Sequence, residues 1–326
     1  MRRRLLCHDY FSKPARLQAP ACETLMTSVS TRFAPSPTGH LHLGHVVSAL
    51  HARRMAGAEG RFLIRIEDID RVRCTDALTR ALSEDLAWLG FRSAEPMRQQ
   101  SRHFADYVSV LEKLRDRKLI YPCFCTRAEI AAGATQRAPD GSLVYPGRCR
   151  HRELAPDRRA PVWRLDMDRA LHELHGVPSW HEVGKGRISG RADAFGNIVL
   201  ARRDNGVSYH LCVTHDDALQ GITRVTRGRD LYDATSVHRV LQDLMGWPEP
   251  EYAHHALILE TDGRKLSKRD GAEGVRILRQ RGWTAEAVLT HPRVVQALEE
   301  SDLPPFRPAS EHSIQDIEGT CPGDSA

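Results

Sequence analysis

Long apolar runs are what this 326-residue chain most plainly lacks. Its mean hydropathy is −0.45, whereas a membrane-spanning helix needs about 20 consecutive apolar residues, so a spanning helix is excluded. Cysteine is sparse as well. The eight present are scattered, too thinly for a disulfide scaffold, and the pattern suits a reduced, cytoplasmic protein. An excess of one charge is missing too: a formal net charge of +5 and a pI near 8.8 permit a polyanionic partner without demanding one. No internal repeat occurs, which removes repeat architectures. What is there, 41% hydrophobic and 27% charged residues, suits a globular enzyme with a substantial core.

Two distant segments carry most of the information. The first is Arg32-Phe-Ala-Pro-Ser-Pro-Thr-Gly-His-Leu-His-Leu-Gly-His45, the second Lys265-Leu-Ser-Lys-Arg269. The prolines and glycines of the first force an extended, turning loop, and the following Val46 to Arg54 stretch has helical spacing, so the loop delivers Gly44 to a helix N-terminus. Such an end favours phosphate through unpaired backbone N–H groups and the helix dipole, with Gly44 allowing close approach and His42 and His45 adding donors. Lys265 and Lys268, flanked by Gly263 and Gly271, sit on a loop free enough to close over a triphosphate and bring positive charge to a leaving pyrophosphate. Each segment alone could be a chance match or a solvated turn; their conjunction is the signal.

The chain also supplies partners of both signs for a small dicarboxylic amino acid. Arg61-Phe-Leu-Ile-Arg-Ile-Glu-Asp-Ile-Asp70 starts as an apolar strand and ends in acids, which puts Glu67 at a strand mouth, where it could bind an ammonium. A β-branched stretch in Gly221 to Asp230 ends at Arg227 and Gly228, and Val207 to Val213 reads as a further strand carrying Tyr209. Both could reach a carboxylate, the arginine by a bidentate fork. The competing reading for each is a surface ion pair or a strand-end tyrosine.

These motifs, from about Arg32 to about Val288, resemble the class I aminoacyl-tRNA synthetases, in particular their glutamyl branch. The resemblance implies an α/β fold, a Rossmann-like catalytic domain with a zinc-binding insertion. It implies ATP with Mg2+ and L-glutamate as substrates, with His42, Gly44, His45, Lys265 and Lys268 as catalytic elements and His42, His45 and Lys268 on ATP. It implies that the run Arg32, Phe33, Ala34, Pro35, Ser36 together with Glu67, Tyr209 and Arg227 binds glutamate. Arg32, Tyr209 and Arg227 would read the γ-carboxylate, and Ser36 and Glu67 the amino group. Arg269 replaces the last serine of the idealised Lys-Met-Ser-Lys-Ser loop, as it does in glutamyl enzymes. Little chain follows Lys268, and residues 301–326 are polar and Pro/Gly-rich, expected to be disordered, so no anticodon-binding domain is expected there. That shortness resembles the truncated paralogous family, the glutamyl-queuosine tRNA(Asp) synthetases. In that family glutamate is activated without tRNA and transferred to the queuosine base in the anticodon of tRNA(Asp). Two other functions stay open: charging of a tRNA 3′ end, and a non-catalytic tRNA-binding protein of the same fold.

Three cysteines cluster. Cys123-Phe-Cys125 and Tyr145-Pro-Gly-Arg-Cys149 offer three sulfurs and a phenol, a soft set suited to one structural zinc. From residue chemistry alone His151 is the commoner fourth ligand; the resemblance implies Tyr145. Arg148, Arg150 and Arg152 are candidates for RNA phosphate contacts or simply solvated side chains.

The expected organisation has residues 1–30 disordered or a mis-assigned start, with residues 1–25 ahead of a true start at Met26 in the second case, 31–119 as the first half of the catalytic domain and 120–191 as the insert. Residues 192–247 form the second half, with a helix over Tyr232 to Leu244, and 248–300 a closing region with the lysine loop and short helices. In the first half, Leu78, Leu82, Leu86 and Leu89 form a core-facing helix stripe. The protein is expected to be a monomer.

Overall fold

The structure, a computed structural model, describes residues 28–151, 160–203, 206–259 and 274–301. Lys265, Lys268, Arg269 and Arg152, and the tails over 1–27 and 302–326, lie outside the described residues. The chain begins with β1 (Ser30–Phe33), α1 (Leu43–Ala56), β2 (Arg61–Ile66), α2 (Asp76–Trp88), β3 (Arg98–Gln99) and α3 (Phe104–Asp116). It continues with β4 (Ile120–Cys123), α4 (Arg127–Gly133), β5 (Val162–Leu165), α5 (Met167–Glu173), β6 (Trp180–Glu182), β7 (Gly186–Ile188) and β8 (Val199–Ala201). Then come α6 (Tyr209–Leu219), β9 (Arg224–Gly228), α7 (Thr235–Met245), β10 (Glu251–His255), α8 (Val275–Gln280), α9 (Ala285–Leu289) and α10 (Pro292–Glu299).

Strands β1, β2 and β3 pair in parallel, as do β9, β10 and β6, with β7 added antiparallel at the edge of the second group. The Thr223 N–H donates to the Ser30 carbonyl at 3.0 Å and the Ser30 N–H to the Thr223 hydroxyl at 2.9 Å, which sets β9 beside β1. The two groups therefore meet at β1 and β9, and the carboxyl ends of β1, β2, β9 and β10 open on one crevice, the place where ligands bind in doubly wound sheets.

Local chemistry explains the elements. In β2 the sequence Arg-Phe-Leu-Ile-Arg-Ile is buried from its second residue onward, as expected for a central parallel strand. Helix α2 starts at the Thr75 cap, which accepts the Leu78 N–H, and buries Leu82 and Leu86; Leu89 just beyond it is buried too, and Leu78 is half-buried. That leucine stripe packs in one core with Phe33, Val46, Val47, Ile64 and Val294. A second core joins α3, α5, α6 and α7 through Tyr107, Leu114, Met167, Leu211 and Val240.

Two expected elements differ. The segment Val207 to Val213 is not a strand: Ser208 caps α6, its hydroxyl accepting the Leu211 N–H at 3.4 Å, and Tyr209 is the first residue of the helix. The cap and the spacing of Leu211 and Cys212, both fully buried, override the β-branched ends. The helix expected over Tyr232 to Leu244 starts at Thr235, after a turn, and ends at Gly246 in the left-handed region with φ 64°. Strand pairing also cuts across the division at 191: β6 joins β10 in the catalytic sheet, while β8 joins β5 and β4 in a separate antiparallel sheet.

Candidate active site and cysteine cluster

A cavity of about 460 Å³ fills the crevice, lined by Arg32, Phe33, Ala34, Pro35, Ser36, His42, Gly44, His45, Glu67, Tyr209, Arg227 and His255 among others. It brings together every described residue expected at the glutamate and ATP sites. Its size is that of a small-ligand site.

At one end lies the α1 N-terminus. His42 is the cap residue: its Nδ1 accepts the Gly44 N–H at 3.1 Å, and the His42 N–H donates to His45 Nδ1 at 3.1 Å. Because both Nδ1 atoms accept, each neutral ring carries its proton on Nε2. A Cβ on Gly44 would come within 2.9 Å of the His42 ring, so glycine is what lets the ring fold over the helix end. The arrangement is a capping box built from histidines in place of acids, which leaves the N-terminal turn free of negative charge, as an anion site requires.

The middle of the cavity is a buried charge network. Arg32 Nε and Nη2 donate to the two Asp217 oxygens at 2.8 and 3.2 Å, and Nη1 donates to the Thr226 carbonyl at 2.7 Å. Arg65 Nη1 donates to Asp217 Oδ1 at 2.8 Å and to Gln220 at 3.1 Å, and its Nη2 reaches Glu67 Oε1 at 3.2 Å. Burial raises the Glu67 carboxyl and outweighs Arg65 and Arg32, leaving it at about 7. Asp217 is lowered, because the two arginines it grips outweigh the same burial. Arg65 is raised despite its own burial, chiefly by Asp217. The shifts of Arg65 and Glu67 do not mirror one another because Asp217 is the closer partner, so Glu67 keeps little of the arginine's field.

On the facing wall Arg227, 6% exposed, makes three hydrogen bonds: Nε to His254 Nε2 at 3.1 Å, Nη1 to His238 Nδ1 at 2.8 Å and Nη2 to the Thr235 hydroxyl at 2.6 Å. All three acceptors are uncharged at neutral pH. Burial lowers His238 well below the usual imidazole range, with Arg227 adding to it, and leaves His254 at about 4 although Glu182 pulls the other way. Tyr209 stands beside this wall, its ring edge-on to His210 and tilted over His238, with burial raising its phenol. A Cβ on Gly228 would meet Asp230 Oδ1 at 2.5 Å and Leu257 Cδ2 at 2.7 Å, so the turn after Arg227 has no room for a side chain.

The sequence reading did not find Arg65, Asp217, His238, His254 or Glu182. The one available signal was in α6, where Asp216 and Asp217 follow the buried Leu211 and Cys212 on a helix that buries both acids; buried acids imply buried cations.

The cysteine cluster lies at the end of β4. The sulfurs of Cys123, Cys125 and Cys149 fall within 4.8 Å of one another, and Cys125 and Cys149 stand 3.6 Å apart. Four ligands around zinc at about 2.3 Å place sulfurs roughly 3.8 Å apart, so the set fits a tetrahedral ion. The Tyr145 oxygen sits 3.5 Å from the Cys125 sulfur and accepts the Cys149 N–H at 2.8 Å. The Arg164 guanidinium lies 4.0 Å over the Tyr145 ring, and burial, with hydrogen bonds to the three thiols, raises the Tyr145 phenol. Cys149 ends lowered to about 7: burial raises it, and hydrogen bonds from Tyr145, the Phe124 backbone and the other thiols outweigh the burial. His151 is exposed and does not belong to the group of ligand atoms within that radius. Arg150 pairs with Asp166 at 2.6 Å and with Asp168, so it is already engaged within the protein.

The sequence matches the family "tRNA synthetases class I (E and Q), catalytic domain" over residues 28–296. It is 46% identical over 268 residues to a glutamyl-Q tRNA(Asp) synthetase of Rhodobacter capsulatus, covering 77% of this chain and 95% of that one. It is 38% identical over 270 residues to a glutamate–tRNA ligase of Geotalea uraniireducens, covering 82% of this chain and 56% of the relative. Among solved structures, the glutamate–tRNA synthetase of Elizabethkingia anophelis superposes with a TM-score of 0.64 at 26% identity, over 84% of this chain and 65% of that one. The chain thus spans nearly the whole of one kind of relative and between about half and two thirds of the other. Among the described residues no helix is long and apolar enough to cross a membrane.

Proposed function

Because this chain belongs to the glutamyl- and glutaminyl-type class I tRNA synthetases and is similar over most of its length to glutamyl-Q tRNA(Asp) synthetases, we propose that it activates L-glutamate with ATP in the absence of tRNA. It then transfers the glutamyl group to the queuosine base in the anticodon of tRNA(Asp). The observation that carries the amino-acid assignment is Arg227, a buried guanidinium in the cavity wall with no ion-pair partner among the described residues. A buried cation of this kind is stable once a ligand brings the anion. A glutamate γ-carboxylate does so, while Glu67 across the cavity takes the ammonium and the α-carboxylate points toward the α1 N-terminus.

In the first step an α-carboxylate oxygen attacks the α-phosphorus of ATP, forming glutamyl-adenylate as the bond to pyrophosphate breaks. The Gly44 turn and the Nε2–H groups of His42 and His45 face the phosphates as donors that need not reorganise during the reaction. Mg2+ brought with ATP neutralises phosphate charge. Lys265 and Lys268, which lie outside the described residues, are the proposed partners of the leaving pyrophosphate. In the second step a queuosine hydroxyl attacks the glutamyl carbonyl and AMP leaves.

Cys123, Cys125 and Cys149 with Tyr145 would hold one zinc, which would supply a structural cross-link between β4 and the Cys149 turn, outside the reacting atoms. The protein acts in the cytoplasm as a monomer.

The test is glutamate-dependent ATP–pyrophosphate exchange without tRNA, followed by transfer of labelled glutamate to an anticodon stem-loop of tRNA(Asp) bearing queuosine. Label on that RNA, and none on its guanosine counterpart, is the expected result. The likeness to glutamate–tRNA ligases makes a second outcome specific: label lost on removing the 3′ adenosine of whole tRNA means the chain charges tRNA ends.

A further inference from the structure

Two questions remain about Arg227: why its partners are all neutral, and what keeps them in the protonation state it needs. A guanidinium can only donate, so His254 Nε2 and His238 Nδ1, which receive its Nε–H and Nη1–H, must both be bare. Each ring then has its proton on the other nitrogen, and the structure gives each of those a partner.

For His254 the partner is Glu182, whose two oxygens lie 3.0 Å from Nδ1. Glu182 is 2% exposed and is itself fixed, receiving the His254 backbone N–H at 3.1 Å and the Trp180 indole N–H at 3.1 Å. For His238 the partner is His210, whose Nδ1 stands 3.0 Å from His238 Nε2. Two chains therefore converge on one cation: Glu182 to His254 to Arg227 from β6 and β10, and His210 to His238 to Arg227 from α6 and α7.

We propose that His254 and His238 are positioning residues that hold Arg227 as an uncompensated cation aimed into the cavity, with Glu182 and His210 locking their tautomers, and that this cage sets the preference for a carboxylate over an amide. The inference rests on glutamate being the amino-acid substrate. It deepens that reading by adding four residues that line no reacting atom.

The physical reason is charge accounting. Had a carboxylate held Arg227, as Asp217 holds Arg32 and Arg65, the guanidinium would arrive neutralised, and a substrate carboxylate would gain little over an amide. Neutral acceptors supply the same geometric restraint without spending the charge. Glu182 acts on Arg227 through the intervening imidazole ring. The titratable and charged groups facing the two rings are Arg32 from β1, Tyr209 and His210 from α6, Arg227 from β9, Glu182 from β6, Tyr252 and His255 from β10, and Tyr232 before α7. Arg227 is the cation closest to both, and burial acts in the same direction, so both rings stay neutral.

The first test is nitrogen-15 NMR of the histidines in the full chain without substrate at pH 7. His254 is expected with its proton on Nδ1 and His238 with its proton on Nε2, both neutral. A cationic ring or the opposite tautomer at either position overturns the proposal, whatever the substrate proves to be. The second is kinetic. His238→Phe removes the acceptor and is expected to raise KM for glutamate about tenfold and to cut the glutamate-over-glutamine preference by about as much, with KM for ATP unchanged. His238→Asn, whose Oδ1 can replace the ring acceptor, recovers most of that loss. Glu182→Gln lets the His254 proton move to the nitrogen facing Arg227 and shifts the same two parameters, together with the His254 signal. Equal losses in His238→Phe and His238→Asn, or parallel losses in glutamate and ATP, make the rings merely structural. If the unaltered protein does not activate glutamate, the functional reading fails, and the tautomer measurement still decides whether the cage exists.

Discussion

On one wall of the cavity Arg32 and Arg65 share Asp217, with Glu67 at the edge of the pair; on the facing wall Arg227 is also buried, lies over the Tyr252 ring and sends its hydrogen bonds to two imidazoles and a hydroxyl. The residue type is the same and the burial is similar, so the difference lies in who supplies the negative charge. The first wall is complete within the protein. It ties β1 and β2 to α6, and its arginines serve the fold at least as much as the ligand. The second is incomplete until a carboxylate arrives. An arginine in an active-site wall is therefore read by its counter-ion before its exposure.

The largest expected effect breaks the comparison if it fails. Arg227→Leu removes the uncompensated cation and is expected to lower glutamate-dependent exchange by about a thousandfold, the scale for losing a bidentate charged contact in a desolvated site, with ATP binding unchanged. Stability should hold or rise, since an unpaired buried charge is exchanged for an apolar side chain. Asp217→Ala does the reverse. It strands two arginines and is expected to cost about 3–5 kcal/mol of stability, measured by urea unfolding. If Arg227→Leu destabilises as much as Asp217→Ala, the two walls are not different in kind.

The cysteine cluster sharpens the contrast from outside the cavity, because its parts are close in sequence and its expected metal is structural. Purified protein is expected to carry about one zinc, and Cys149→Ala to carry less than about a tenth of that after dialysis. Amide exchange should then quicken around Cys123 and Tyr145, with glutamate activation falling less than about threefold. Unchanged zinc in Cys149→Ala, or its loss in His151→Ala, reassigns the ligands.

How much of this was legible follows from distance along the chain. The His42 to His45 turn, the strand just before Glu67 and the three clustered cysteines are local, and spacing alone placed them, whereas Tyr145 in place of His151 came from the family resemblance. Arg227 was legible as a strand-end cation, but its partners were not: Glu182, His238 and His254 come from three elements whose adjacency depends on strand order. Asp217 meets Arg32 across 185 residues, so Arg32 reads in the sequence as a residue with its charge to spare. Tyr209 reads as a strand residue from the β-branched ends of its segment, whereas the Ser208 cap makes it the first residue of a helix. Local rules recover turns and caps; buried electrostatics needs the topology first.

A pH-dependent effect is expected of the residue at the edge of the balanced wall. Glu67 is raised from its ordinary 4.5 to about 7, by burial acting against Arg65 and Arg32. The sign follows from which form each state prefers. With a raised folded value, the folded protein holds the proton more tightly than the unfolded chain, so this group favours folding at low pH and loses that contribution as pH rises from about 4.5 to 7. Binding runs the other way, because an ammonium needs the carboxylate. Below pH 7 glutamate must displace a proton, and its KM is expected to rise about tenfold per pH unit while KM for ATP stays flat. Glu67→Gln should give a high KM with no such slope, and should be more stable than the unaltered protein at pH 8 but not at pH 4.5. A flat glutamate KM between pH 5.5 and 7 in the unaltered protein would move the ammonium away from Glu67, and with it the orientation of the amino acid between the two walls.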